Sequence, residues 1–273
     1  MWEAVERFHA LTYVAPEVRE TATAAGLRGF WMNYFATRIA PVGAVGPAIV
    51  QSTFFYYGPA RVHRAIPDAW SFSSPDAIIA ARYAGMDRAL RSVYTDVDTD
   101  NFSEAAELVR EAAAGCDAIG RVLHTGWASL EWPSEPHMSL WHGCTLLREY
   151  RSGNHLMAVC GEGLDGCEAV LSHVAVGGAP RAWIQDEAGW KPDDEAAAAG
   201  RLHARGWLTE SGEATAACVE GRARIEHLTD TLDFPVWDRL GESRGQRLFT
   251  LLAGFAQALP PDDQLDWQHH YPE

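Results

Sequence analysis

The stretch "HLMAVCGEGLDGCEAVLSHVAV", His155 to Val176, decides the fold. Its first and last thirds place apolar residues at three- and four-residue spacing, the mark of helices with one buried face. Between them Gly161, Gly163 and Gly166 break both patterns around Leu164. Helix, tight glycine turn and second helix is the order of a helix-turn-helix. The same letters spell Gly-x-Gly-x-x-Gly, in which glycines let a pyrophosphate approach a helix N-terminus. A dinucleotide loop also needs a train of alternating strands and helices, with an acid about twenty residues on. The chain offers neither, so a structural turn is preferred.

Downstream, "DDEAAAAGRLHARGWLTESGEATAACVEGRARIEHLTD" (193–230) predicts a helix ending at Arg205-Gly-Trp-Leu, a tiny hairpin at Thr209–Gly212, and a long helix. Helix-turn-helix, second helix, hairpin and exit helix make a winged-helix order, here with a very short wing. Most other segments are helical by spacing, including "PDAIIAARYAGMDRALRSVY" and the closing "GQRLFTLLAGFAQAL". In "NFSEAAELVREAAAG", Asn101 or Ser103 is the expected helix cap. Strand signals are confined to "AIVQSTFFYY" and the piece around "RGWLTESG".

The glycine turn occurs twice. Gly26, Leu27 and Gly29 stand 137 positions before Gly163, Leu164 and Gly166, and the same offset pairs Arg64 with Arg201 and Trp70 with Trp207. Upstream of each turn, "FHALTYVAPE" (8–17) and "LWHGCTLLRE" (140–149) place His9 and His142 alike. The expected fold is therefore mainly α, built by internal duplication from two divergent winged-helix-like units with very short β-hairpins. Residues 1–100 would form the first unit and 135–245 the second. A linking helix and connector would occupy 101–134, and a closing helix and tail 246–273. The acidic tail "DDQLDWQHHYPE" (262–273) is expected to fray.

These residues resemble the MarR-type winged-helix architecture. More closely, the chain is similar to a family of actinobacterial helix-turn-helix proteins, through "HALTYVAPE", "GLRGFWMNYFATRIAPVGAVG", "RAIPDAW", "LWHGCTLLRE", "GLDGCEAV" and "RGWLTESG". The resemblance spans almost the whole chain and implies a winged-helix-like fold. It implies no particular activity.

Composition narrows the classes. Hydrophobic residues make up 47% of the chain and eleven are Trp, ample for a packed core. Acidic side chains outnumber basic ones 37 to 22, a net charge of −15 that opposes non-specific attraction to DNA or anionic lipid. Five cysteines without a C-x-x-C pair, and an N-terminus "MWEAVERFHA" lacking an apolar signal core, lead to the expectation of a reducing cytoplasm. The charge-free run from Ile39 to Ala60 is interrupted by Pro41, Gly43, Gly46 and Pro47 and is read as core and turn, with no membrane span.

The binding chemistry centres on "GFWMNYFATRIAP" (29–41), where Trp31, Tyr34 and Arg38 fall on one helical face. A buried guanidinium needs a carboxylate or an anionic ligand; Glu17 and Glu20 are the nearby carboxylates. His9 and His142 could meet across the internal symmetry and flank a polar ligand, or hold a metal or haem iron. Structural packing of these histidines is the simpler alternative, and no ligand spacing assigns a metal. The expected ligand-binding set is His9, Tyr13, Glu17, Trp31, Tyr34, Arg38, His142 and Glu149, lining a pocket for an aromatic or anionic molecule. Arg201, His203 and Arg205 would carry DNA contacts, although the acidic charge and Asp193, Asp194 and Glu195 in that helix's first turn disfavour them. The corresponding function is a ligand-responsive regulator or a sequestering protein. An enzyme or a haem or metal protein is the alternative; no catalytic residue or cofactor can be assigned.

Overall fold

The computed structural model describes residues 1–97 and 99–261; the tail expected to fray lies outside them. The chain opens with α1 (Trp2–Val14), α2 (Pro16–Ala24) and α3 (Gly29–Ile39). Three short helices follow, α4 (Pro47–Thr53), α5 (Pro59–Ala65) and α6 (Asp68–Phe72). Next come α7 (Pro75–Val93), α8 (Asp100–Ala113) and α9 (Val122–Ala128). Beyond them run α10 (Pro136–Gly161), α11 (Gly166–Ala175) and α12 (Trp183–Asp186). The described chain closes with α13 (Pro192–Ala204), α14 (Ala216–Leu240) and α15 (Glu242–Ala256). Among the described residues no helix is long and apolar enough to cross a membrane.

Residues group into two compact units that interleave along the sequence. The first comprises Met1–Ala44, Pro67–Gly153 and the described residues from Asp233 onward; the second comprises Val45–Ile66 and Asn154–Leu232. Phe8, Val18, Met86, Leu90, Phe102, Val109, Trp127, Trp141 and Leu252 belong to the core of the first. Val159, Leu164, Val170, Leu171, Ile184, Leu202, Trp207 and Ile225 belong to that of the second.

Local chemistry sets the helix boundaries. Pro16 confines Ala15 to extended backbone (φ −63°, ψ 124°), which ends α1, and then occupies the first turn of α2, where a missing N–H costs nothing. Ser74 caps α7 by accepting from the Ala77 amide. Gly85 of α7 lets α2 approach closely: an added Cβ would stand 2.7 Å from Val18 Cα.

The two Gly-Leu-x-Gly turns share the geometry of their first half and differ at the last glycine, where Gly29 is left-handed (φ 67°) and Gly166 is not. Gly26 and Gly163 are left-handed (φ 101° and 76°), the conformation that lets a helix end and the chain reverse. Leu27 N–H donates to the Ala22 carbonyl at 3.0 Å, and Leu164 N–H to Val159 at 3.4 Å. Both leucines are buried. After the second turn, Asp165 and Glu168 form a reciprocal capping box that starts α11. An added Cβ on Gly166 would meet the Phe55 carbonyl oxygen at 2.0 Å, so the last glycine of the apparent dinucleotide fingerprint serves close chain packing.

Three expectations change. "AIVQSTFFYY" is not a strand. Pro47 starts α4 behind extended Gly46, and the hydroxyls of Ser52 and Thr53 both donate to the Ile49 carbonyl, closing a turn that overrides β-branched composition. Around "RGWLTESG" the described residues hold one isolated bridge, Leu208 to Ala214, across a tight turn with Gly212 at φ 83°. The helix in "NFSEAAELVREAAAG" begins at Asp100 behind Thr99, which places Asn101 and Ser103 inside it.

Candidate ligand-binding site

Five of the residues expected to bind a ligand meet inside the first unit. Arg38, on the last turn of α3, is 4% exposed. Its Nε donates to Glu149 Oε1 at 3.0 Å and its Nη2 to Glu149 Oε2 at 2.7 Å, a side-on fork. Nη1 donates to the Tyr34 hydroxyl one turn earlier, and the guanidinium carbon lies 5.0 Å from the centre of that ring. The partner of Arg38 is thus Glu149, not Glu17 or Glu20; Glu20 pairs with Arg88 at the surface. Glu149 is shared, since Arg148 Nη1 reaches its Oε2 at 3.1 Å, while Arg148 Nε stands 3.5 Å from the half-exposed Glu6. Burial would raise the Glu149 carboxyl, but Arg38 and Arg148 outweigh it and hold it at about 2.

His9, fully buried on α1, joins the same cluster. Its Nδ1 is 3.2 Å from Thr145 Oγ1 and its Nε2 is 3.2 Å from the Tyr13 hydroxyl. Thr145 donates its own proton to the Trp141 carbonyl at 2.9 Å, so the threonine oxygen must accept from His9. His9 therefore carries its proton on Nδ1 and accepts from Tyr13 at Nε2. Burial, with Arg148 and Arg82 nearby, pushes its pKa well below the usual imidazole range and keeps it neutral. Burial likewise raises the Tyr13 phenol to about 12. The Tyr13 and Tyr34 rings lie 5.6 Å apart, and Trp31 packs 5.8 Å from Tyr34.

His142 has a different neighbourhood within this unit. Its Nδ1 is 2.6 Å from the Tyr83 hydroxyl, and its ring packs near Trp127 and Trp132. Burial, then Arg110, lowers it to about 4. The hydrogen-bond partners of His9 and His142 are separate. Glu17 sits on α2, where its carbonyl accepts from Thr21. Among the described residues no group of three or more His, Cys, Asp or Glu could hold a metal ion.

Sequence spacing missed the most unusual member, Arg82 of α7, which is 2% exposed. Its Nη1 donates to Thr37 Oγ1 at 2.9 Å, and its guanidinium lies 5.0 Å from the Trp127 ring and 5.7 Å from Trp141. Nε and Nη2 are buried without a hydrogen-bond partner among the described residues. Burial lowers its pKa, opposed by Tyr13 and Glu149. The signal was available: Ile78, Arg82, Met86 and Ala89 share one helical face, and the other three are apolar core.

In the second unit α11, α12 and α13 follow one another, and the turn bridged by Leu208 and Ala214 leads from α13 into α14. The cations expected to meet DNA are engaged there. Arg201 Nε donates to Glu168 at 2.9 Å and its Nη2 to Asp165. Arg205 donates to the Gly163 and Glu162 carbonyls and stacks on Trp207, and His203 Nδ1 lies 3.0 Å from the Leu208 carbonyl. These contacts tie α13 to the glycine turn and to the segment Trp207–Leu208.

No curated protein and no solved structure matches the sequence. A profile described as a helix-turn-helix family matches residues 1–265, nearly the whole chain. The chain belongs to that helix-turn-helix family.

Proposed function

We propose that this helix-turn-helix protein binds a small aromatic or anionic molecule inside its first unit, as a ligand-responsive regulator or a sequestering protein. The observation that carries this reading is the cluster of buried Arg38 and Arg82 and the largely buried Arg148, its side chain 15% exposed, around a single fully buried carboxylate, Glu149. Uncompensated buried cations are costly and are expected where a ligand completes the charge balance. The ligand would be lined by His9, Tyr13, Trp31, Tyr34 and Arg38, with Glu149 and His142 in support and Glu17 at the edge.

Of the two roles, sequestration or sensing without tight DNA binding has the better support. Arg201, His203 and Arg205 already have partners, the first turn of α13 is acidic, and the net charge is −15. If DNA is bound, those three residues carry it, after release of Arg201 from Asp165 and Glu168. The matched glycine turns and the helix–wing–helix order support a MarR-like winged-helix duplication. Five free thiols fit a reducing cytoplasm.

Thermal melts of the purified chain with a library of small aromatic compounds, acidic and neutral, test the binding reading. One chemical class should raise Tm, because a ligand that binds only the folded state stabilises it. A library that leaves Tm unmoved overturns the proposal. Titration against DNA from upstream of its own gene separates the roles: specific binding that weakens steeply with salt identifies a regulator, and binding no tighter than to random DNA identifies sequestration.

A further inference from the structure

Arg38 and Arg82 are both buried arginines of the first unit, yet they use their guanidinium groups differently. The Nε–Nη2 edge is the flank of the guanidinium that matches the two oxygens of a carboxylate. In Arg38 this edge holds Glu149. In Arg82 the same two atoms, Nε and Nη2, are buried and make no hydrogen bond among the described residues. Nη1 of Arg82 is engaged by the neutral Thr37 hydroxyl.

Charge balance shows the same imbalance. Arg38, Arg82 and Arg148 bring three positive charges; Glu149, with Glu6 beside Arg148, brings two negative ones. His9 is neutral, so one positive charge is left, on the arginine with no acidic partner. A singly charged anion balances the cluster, whereas a dianion would carry an uncompensated charge into a low-dielectric site. A second donor lies close by. Trp141, whose ring centre is 5.7 Å from the Arg82 guanidinium carbon, buries an indole N–H that also makes no hydrogen bond among the described residues. Buried donors left unpaired are rare in folded proteins and mark places where a partner belongs.

We infer that the Nε–Nη2 edge of Arg82 anchors the carboxylate of a small monocarboxylic acid, with Thr37 fixing the guanidinium and Trp127 and Trp141 flanking it. This rests on the ligand-binding reading and names both the ligand class and the residue that selects it. Arg38 is then a positioning residue: its fork keeps Glu149 away from Arg82 and leaves that guanidinium to the ligand.

The test uses the full chain at constant ionic strength, with acetate and benzoate compared against acetamide and benzamide by thermal melting and calorimetric titration. The acids should stabilise the protein and the amides should not. An aromatic preference would appear as benzoate binding more tightly than acetate. Arg82→Met should weaken acid binding at least tenfold. It should also melt no lower than the wild type without ligand, because it removes a buried cation that has no acid partner. A purely structural arginine would give the opposite melting shift. Acids that bind Arg82→Met as they bind the wild type overturn the assignment of the anchor and leave a ligand site standing. Amides that stabilise as well as acids overturn the carboxylate selectivity alone. If none of the four probes, nor the wider library, moves Tm, both the inference and the ligand reading fall. Should Arg82→Met not fold, the acid-to-amide comparison on the wild type and Arg82→Lys, which keeps the charge but has no fork and should bind the acids more weakly, decide the matter.

Discussion

Arg38 in the first unit and Arg201 in the second both present the Nε–Nη2 edge to carboxylates, in opposite surroundings. The Arg38–Glu149 pair is 5% and 0% exposed, whereas the Arg201 side chain is 49% exposed and divides its edge between Glu168 and Asp165. At the surface, water and salt screen the attraction, and such pairs contribute between nothing and about 1 kcal/mol. In the interior the pair gains little over an apolar packing, but breaking it strands a charge at a cost of about 3–5 kcal/mol. One fork fastens a helix to its neighbour's cap. The other fixes which buried charges are neutralised and which are not.

The largest predicted effect breaks the buried fork. Glu149→Gln leaves Arg38 and Arg148 without their shared acid and should destabilise the fold by about 3–5 kcal/mol in urea denaturation. The pH dependence has a definite sign. The folded carboxyl sits at about 2 against an ordinary 4.5, so its stabilisation is complete above 4.5 and is lost as pH falls toward 2. Glu149→Gln should lose that acid limb.

Next in size is His142, held at about 4 in the folded chain against an ordinary 6.5. Between those values the unfolded chain binds more protons, so stability falls as pH drops through 6.5 and the loss is complete near 4. The full loss is about 3 kcal/mol, and a pH series on His142→Gln should show that limb flattened. The smallest effect belongs to the surface fork. Arg201→Gln should cost less than about 1 kcal/mol, a difference that shrinks in high salt. If Arg201→Gln proves as damaging as Glu149→Gln, burial is not what distinguishes the two.

The repeated glycine turn was legible because backbone sterics write it directly: a left-handed residue after a helix calls for glycine, and the leucine beside it must be buried. Helices with one apolar face were equally plain. The site was legible in part. Aromatic and histidine spacing gathered His9, Tyr13, Tyr34, Arg38 and Glu149, yet the partner of Arg38 was sought nearby, at Glu17 or Glu20, and lies 111 residues away. No local pattern encodes so distant a pairing. Arg82 was passed over because a charge within an alanine-rich helix reads as solvated unless its apolar neighbours on the same face are counted. "AIVQSTFFYY" misled because its β-branched and aromatic composition says nothing of Pro47, which sets the first turn.

The hydrogen bonds through His9 have a direction. Tyr13 donates to His9, His9 to Thr145, and Thr145 to the Trp141 carbonyl. A peptide carbonyl has no proton to hand onward, so the sequence of donors ends there and cannot cycle. Such an arrangement is ill suited to shuttling protons and well suited to freezing one tautomer. Its signature would be kinetic: a single imidazole form in nitrogen NMR, with a ring N–H that exchanges with solvent only when the first unit opens.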